Sequence, residues 1–465
     1  MDHTTPTTLP ANGRAHGDLL APIERASATD RAFLAMDTGP APEQFGVVLM
    51  LDHADSIDLD RTRQLIAERI DSVPRLRQRL IRTPLGCGAP IWVDDPRFDL
   101  RNHVRTMQCP VPGDEQAMLD LALSVIMNPL PKTAPLWAAV LITGLTDRQR
   151  ALVVVLHHVL ADGIGGLAVL TDLIDTRPRP ARHDFPRPEP TAPALARDAL
   201  IVRWRSLRGA TRSLRLLRAS LHAAGGLRPS RVVPGSLTQR TGPRLRLALV
   251  RADVTALRTC AHRYDATTND AVLVAVAAAL HHVLRNHGES VDPIVATVPV
   301  SGRPHDTTPG VGNMVAPMLI SIPTDGAVAQ RLRNVADQVH TLRDAATGPP
   351  PIATLGWLFR PMAALGVFRW YMNHQHRFHT LISHVRGPSQ QMSFGGSTIT
   401  SAIPIGVGPG GNTPVYFEVL SYADTLTVTI AADPDHFPYL AELADAVRTE
   451  FDRMLGDHPR PQPLT

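Results

Sequence analysis

Lysine is almost missing from this chain of 465 residues: of its 47 basic residues only Lys132 is not an arginine. The bias runs the whole length, so we read it as a property of the coding sequence rather than of any one site. Cysteine is nearly as scarce. Cys87, Cys109 and Cys260 are an odd number without a C-x-x-C spacing, which argues against a disulfide framework or a zinc site and fits a reducing cytosol. No apolar run reaches the ~20 residues of a membrane-spanning helix; the longest, Ala271 to Leu280, covers about half of that. The stretch Met1-Asp-His-Thr-Thr-Pro has no basic region followed by an apolar one, so it does not read as a signal peptide, and residues 1–20 are expected to be disordered. Charge of one sign is lacking too. With 47 basic and 43 acidic residues, a formal +4, and no nucleic-acid-binding motif, neither DNA nor RNA is expected as a partner.

What is present points to packed cores. The length exceeds what one hydrophobic core usually serves, and 44% of the residues are hydrophobic, so two domains are expected. Residues 21–176 read as an α/β unit, with strands at Phe45 to Leu51, Leu136 to Ile142 and a run ending at His157, and a helix at Ile57 to Asp71. Six prolines between Arg177 and Pro193 cannot sustain a helix or a central strand, which makes residues 177–243 a linker. Within it, Ala194 to Leu227 has a helical pattern carrying Arg197, Arg203, Arg205, Arg208, Arg212, Arg215 and Arg218 beside Leu200, Ile201, Trp204 and Leu207. That pattern suits either a basic amphipathic helix at an anionic membrane or lipid-droplet surface, or a solvated helix packed on the protein by one face. A second α/β unit spans 244–465, with strands at Leu245 to Val250, Ile294 to Val300 and Val315 to Ile322 and a helix at Asn269 to Arg285. The aromatic stretch Leu355 to Tyr371 is expected to be core, with an acyl-chain pocket wall or a lipid interface as alternatives.

The chemistry concentrates in Ala151-Leu-Val-Val-Val-Leu-His157-His158-Val-Leu-Ala-Asp162-Gly163-Ile-Gly165-Gly166. Six consecutive apolar residues fit a strand covered on both faces, and the glycines break the pattern and open the following helix. Two histidines and a carboxylate thus arrive where a buried strand ends. A histidine there can take a proton from an attacking hydroxyl and return it to a leaving group. Asp162 could orient the imidazole as in a catalytic triad, or hold the loop, with Gly163 letting the backbone turn. No serine lies in a G-x-S-x-G elbow and no cysteine has an evident histidine partner, so direct transfer without a covalent intermediate is expected. Zinc at His157, His158 and Asp162 is a minor alternative, because no H-E-x-x-H or further ligand cluster accompanies them. His281-His282 repeats the histidine pair in an alanine-rich helix without the aspartate and glycine, and reads as structural.

His157-His158-x-x-x-Asp162-Gly163 resembles the HHxxxDG signature of the acyltransferase superfamily of chloramphenicol acetyltransferase and peptide-synthetase condensation domains. Pro135-Leu136-Trp137, Asn269-Asp270, Thr29-Asp30-Arg-Ala-Phe33-Leu34 and Trp92-Val-Asp94-Asp95-Pro96-Arg-Phe98-Asp99-Leu100 with His103-Val104-Arg105 add a resemblance to the bacterial wax ester synthase/diacylglycerol acyltransferase family, from about residue 20 to about residue 457. The resemblance implies two chloramphenicol-acetyltransferase-like α/β domains, each a mixed sheet flanked by helices, with the active site at their interface. It implies long-chain acyl transfer from acyl-CoA to diacylglycerol or a fatty alcohol, with no cofactor and no metal. It makes His158 the general base and gives Asp162 a structural role through an arginine, for which Arg303 is the candidate. Asn269 is a candidate oxyanion donor, although Asn269-Asp270 also reads as a helix N-terminus, and Pro135, Leu136 and Trp137 are expected to wall the site. The implied partners are acyl-CoA, a lipid alcohol and, peripherally, the inner membrane face or lipid droplets, for a monomer or homodimer. Ser383-His384-Val-Arg386-Gly387-Pro388, Gly408 to Asn412 with Ser421-Tyr422, Gln44-Phe45-Gly46 and Pro234 to Gly242 depart from the family's pattern. They leave the reaction in place and open the acceptor, so acylation of a specialised metabolite from a carrier-protein thioester, and a lipid-droplet protein without turnover, are the alternatives.

Overall fold

The computed structural model describes residues 23–37, 41–52, 54–174, 185–208, 231–301, 315–345, 362–363, 365–408 and 410–456. The expectation for residues 1–20 falls outside them. Along the chain come α1 (Ala28–Met36), β1 (Gln44–Leu51), α2 (Leu59–Ala67), β2 (Gln78–Ile81), β3 (Ile91–Asp94), β4 (Val104–Gln108), α3 (Glu115–Ile126), β5 (Trp137–Thr143), β6 (Arg150–His157), α4 (Gly163–Leu173) and α5 (Ala192–Arg208). The second half adds β7 (Arg246–Asp253), α6 (Val254–His262), α7 (Thr268–Asn286), β8 (Ile294–Ser301), β9 (Val315–Ile322), α8 (Val328–Ala345), α9 (Val367–Asn373), β10 (Thr380–Arg386), β11 (Ser393–Phe394), β12 (Ser397–Gly406), β13 (Val415–Tyr422), β14 (Thr425–Ala432) and α10 (Leu440–Leu455).

Among the described residues these strands form two six-stranded mixed sheets and a small β2–β3 ribbon. The first sheet runs β11-β12-β1-β6-β5-β4 and the second β7-β14-β13-β10-β8-β9. The apolar run 151–156 is the interior of β6, buried on both faces, as a central strand with no solvent side must be. Its eight residues pair antiparallel with all of β1, from Gln44 opposite His157 to Leu51 opposite Arg150. The helix α7 carries the Ala271–Leu280 run, every residue of it buried, through the core of the second half, which explains an all-round apolar segment too short for a bilayer.

Sheet membership does not follow the sequence division at residue 244. Ser393 to Gly406, deep in the second half, folds back as β11 and β12, and β12 pairs antiparallel with β1 from Phe45–Gly406 to Leu51–Ile399. No local pattern announces this crossing, because β12 alternates like any strand and its partner is some 350 residues away. Ile403 and Ile405 on β12 share a core cluster with Val48, Val153 and Val155 of the first half and with Leu247, Tyr416 and Ala431 of the second. The linker is not featureless either. Leu195 and Ala199 of α5 are buried, Leu195 packing on Ile91 and Val93, and Asp198 is held by Arg25 at 2.6 Å.

Trp370 corrects the expectation of a core at 355–371: it is 63% exposed, with Tyr371 and Val367 also open to solvent. The reason is geometric. The short helix α9 turns Phe368, Arg369 and Met372 toward a cavity and leaves its other face uncovered. Trp357 and Phe359 lie outside the described residues. Truncation of Ile403 to alanine should cost about 2–4 kcal/mol in equilibrium denaturant unfolding, with both halves losing stability in one transition.

Candidate active site

The buried strand β6 delivers its last residue, His157, at the end of the sheet, and the chain then turns into α4. His157 is fixed from four directions. Its N–H donates to the Leu136 carbonyl at 3.1 Å, its carbonyl accepts from Leu160 N–H at 2.8 Å, and its ring Nδ1 accepts from Val159 N–H at 3.0 Å. An Nδ1 that accepts leaves Nε2 to carry the ring proton; Nε2 lies 3.4 Å from Asp37 Oδ2. His158, the next residue, points elsewhere. Its N–H donates to the Glu43 carbonyl at 2.9 Å, and its imidazole sits between Phe33 of α1, stacked at 5.1 Å and 14°, and Phe45 of β1 at 4.8 Å.

That enclosure sets the protonation state. Burial, and then the neighbouring His157, pull the His158 pKa down to about 3, because an imidazolium between two aromatic rings loses its hydration. His158 therefore stands as a neutral imidazole at neutral pH, the form a general base needs. Asp162 is the N-cap of α4, its Oδ1 accepting from Gly165 N–H at 2.8 Å, so its carboxylate holds the first turn of the helix. Arg303, the expected partner of Asp162, lies outside the described residues. Gly163 has a different reason from the one anticipated. A Cβ there would come within 2.8 Å of Val385 Cγ2 on β10, so glycine lets the start of α4 approach the second sheet rather than providing a turn conformation. At Gly166 a Cβ would meet the Phe45 ring at 2.6 Å, and Phe45 in turn packs on His158.

The other expected residues divide into two groups. Leu136 reaches the site through its carbonyl on His157, and Trp137, fully buried, donates its Nε1–H to the Leu76 carbonyl at 2.7 Å while His103 stacks on its ring at 4.8 Å. Pro135 accepts from Trp137 N–H at the head of β5. Asn269 and Asp270 open α7, where Thr267 and Asp270 form a reciprocal capping box, and no hydrogen bond joins them to the histidines among the described residues. His281, in the second histidine pair, is buried with Nδ1–H on the Val291 carbonyl, a structural contact. On β10 and β13, His384 shares a hydrogen bond with Ser421 Oγ at 3.0 Å and is pulled down to about 4 by burial, then by Arg386. Beside it Glu418 is pushed up to about 7 by burial, against a hydrogen bond from Ser383. Among the described residues no three His, Cys, Asp or Glu side chains gather closely enough to hold a metal ion.

Two residues that matter here carry no motif in the sequence, Asp37 and Glu43, and a third, Lys132, stands out there only as the single lysine. Glu43 lines a cavity of about 460 Å³ whose walls include Met127, Phe368, Met372, Tyr416 and two cations, Arg240 and Arg369. The imidazole of His158 is not in that wall; Glu43 joins the two, lining the cavity and accepting from the His158 backbone. Burial, then the Asp37 carboxylate, push Glu43 up to about 8. Lys132 Nζ lies 2.6 Å from Asp37 Oδ2. An isolated lysine three residues before Pro135-Leu136-Trp137 was the available signal, and its rarity was read as composition instead.

Residues 26–272 match the wax ester synthase/diacylglycerol acyltransferase catalytic domain, and residues 311–455 match the C-terminal domain of the same family. A Mycobacterium tuberculosis protein that bears the name diacylglycerol O-acyltransferase is 29% identical over 452 residues, covering 91% of this chain and 89% of its own. A second from that organism is 28% identical over 451 residues, 91% of this chain and 90% of its own. In structure, the wax ester synthase/diacylglycerol acyltransferase of Marinobacter aquaeolei superposes with a TM-score of 0.64 at 22% identity, covering 93% of this chain and 98% of that one. The starter condensation domain of rhizomide synthetase, solved with C8-CoA, gives 0.62 at 16% identity, covering 94% and 96%. Both are likenesses of fold, and they agree with the two mixed sheets described above.

The charge states carry a pH prediction. A carboxyl raised to about 8 is neutral at pH 7 and ionises as pH rises through 8, which places a charge, close to that of Asp37, in a largely apolar cavity that Arg240 and Arg369 also line. Turnover should therefore be flat from pH 5 to 7.5, where His158 stays neutral, and fall above about 8. Glu43→Gln should remove the fall; an unchanged alkaline limb in initial rates of this variant would refute the assignment.

Proposed function

Since this chain belongs to the wax ester synthase/diacylglycerol acyltransferase family, we propose that His158 drives its acyl transfer as a general base in a ternary complex. The family makes it an acyl-CoA-dependent O-acyltransferase of lipid hydroxyls. In the proposed step the neutral His158 imidazole takes the proton of the acceptor hydroxyl as its oxygen attacks the thioester carbonyl. The tetrahedral intermediate then expels the CoA thiolate, and the imidazolium returns the proton to that sulfur. His158 is thus base and acid in turn and ends as it began, with no covalent intermediate on the protein. The observation that carries this reading is the packing of His158: a neutral imidazole clamped between Phe33 and Phe45, whose backbone is tied through Glu43 to a cavity large and apolar enough for an acyl chain. Diacylglycerol and long-chain alcohols are the proposed acceptors.

The proposal includes peripheral contact with a lipid surface. Among the described residues no helix is long and apolar enough to cross a membrane. The helix α5, however, presents Leu200 and Trp204, 58% and 63% exposed, together with Ile201 and Val202, amid exposed Arg197, Arg203 and Arg205. Apolar side chains ringed by arginine suit the interface of an anionic bilayer or droplet.

Two measurements test these statements. Offered palmitoyl-CoA with diacylglycerol and, separately, with hexadecanol, the protein should yield triacylglycerol or wax ester, and His158→Ala should reduce the rate by ~10²-fold or more with an unchanged melting curve. Retention of a tenth of the activity would sink the base assignment. Replacing Leu200, Ile201 and Trp204 together by serine should weaken sedimentation with anionic vesicles at low salt by about tenfold or more, and equal binding of the two proteins would remove α5 from the lipid contact.

A further inference from the structure

The carboxylate of Asp37 is spent on neither a helix nor a surface. It is one-tenth exposed, it follows α1 as its C-cap, and both oxygens are engaged. Oδ1 accepts from the Glu43 N–H at 3.1 Å, and Oδ2 meets Lys132 Nζ at 2.6 Å and His157 Nε2 at 3.4 Å. Its own N–H donates to the Phe33 carbonyl at 3.0 Å, and Lys132 Nζ adds a second bond to the Asp37 carbonyl at 3.3 Å. These contacts reach every piece of the cage around His158. Phe33 is one aromatic wall; Glu43 accepts from the His158 backbone and is two residues from Phe45, the other wall; His157 is the residue before the base.

We propose that Asp37, clamped by Lys132, is the positioning residue that fixes the His157–His158 segment against α1 and β1 and so aims the catalytic imidazole. The role rests on the reading of His158 as the base. The physical requirement is a buried negative charge with enough donors to stay ionised. Burial alone would push the Asp37 carboxyl up, but the hydrogen bonds from His157, from Lys132 and from the Glu43 backbone hold it well below the usual carboxylate range. As a permanent anion 3.4 Å from His157 Nε2, it favours the tautomer that carries its proton there and whose Nδ1 accepts from Val159 N–H, and thus the turn that follows His158. Lys132 contributes from the solvent side, its side chain 60% exposed. It is also the chain's single lysine, so amine chemistry addresses this clamp and otherwise only the α-amino group.

The test uses the full-length protein with palmitoyl-CoA and the acceptor on which it turns over fastest. Asp37→Asn should lower kcat by roughly 10- to 100-fold, the scale of a small misplacement of a catalytic group, while KM for palmitoyl-CoA changes by less than about threefold. The same substitution removes the charge that helps raise Glu43, so the alkaline fall in activity should begin at lower pH than in the parent, a readout that a purely structural role would not move. Lys132→Met should cost about fivefold in kcat, as an ion pair with one exposed partner supports, and Lys132→Arg should recover most of it. Acetylation with acetic anhydride should reproduce the Lys132→Met loss in the parent protein and have no such effect on Lys132→Arg, and this arm needs no buried substitution to fold. Asp37→Asn within threefold of parental kcat, or with its alkaline limb unmoved, overturns the proposal. So do Lys132→Met and acetylated protein that both work at the parental rate. His158→Ala separates the two readings: if it is inactive while Asp37→Asn is active, positioning fails alone, and if it is active, the base and the positioning role fall together.

Discussion

The arrangement of this molecule depends on the full-length antiparallel pairing of β1 with β6. Register is a strong constraint in a sheet buried on both faces, because a slip by one residue would exchange the two faces of every side chain. Here it sets Gln44 opposite His157 and Phe45 opposite Leu156. With that register fixed, Glu43 falls where its carbonyl meets the His158 N–H, and Phe45 falls where its ring meets the imidazole. Gln44 extends the constraint beyond the sheet: its side-chain amide donates to the Asn128 carbonyl and accepts from Leu130 N–H, tying the end of α3 to the same strand. His158 is thus placed by backbone geometry before any of its own side-chain contacts are made.

The second consequence of β1 lies on its other edge, where β12 arrives from the far half of the chain. The two sheets are therefore joined through β12, and also where Gly163 at the start of α4 approaches Val385. Glycine at that point is a matter of space. A helix that starts at the seam between two sheets can come close only if its first residue carries no side chain. The same economy governs Gly166, whose missing Cβ admits the Phe45 ring that encloses His158.

Much of this could be read from the residues. The strand ending at His157, the helix opened by Asp162, the all-round apolar helix α7 and the family resemblance come from local patterns, and local patterns are what periodicity and motifs record. Two kinds of feature escaped. One is any contact between distant segments: β12 on β1, Val385 on Gly163, Leu195 of α5 on β3. The other is the role of a single residue without a motif. Asp37 and Lys132 are ordinary letters until the fold brings them within 2.6 Å of each other beside His157, and Trp370 reads as core until a seven-residue helix is seen to have only one covered face. The wall residues that depart from the family's pattern were legible as departures, but the raised carboxyl of Glu43 required the burial around it to be known.

The crossing of β12 bears on how a lipid enters and leaves. Two lobes joined by a simple linker can part like a clamshell, admitting a bulky molecule from the side. Here a strand from the second half of the chain is paired with β1 along a register running from Phe45 to Leu51, a ladder inside the sheet whose β6 ends at His157. Such a ladder belongs to the most stable part of a fold and opens only on global unfolding. Any parting of the two lobes is therefore limited to what side chains and loops allow while this ladder stays closed.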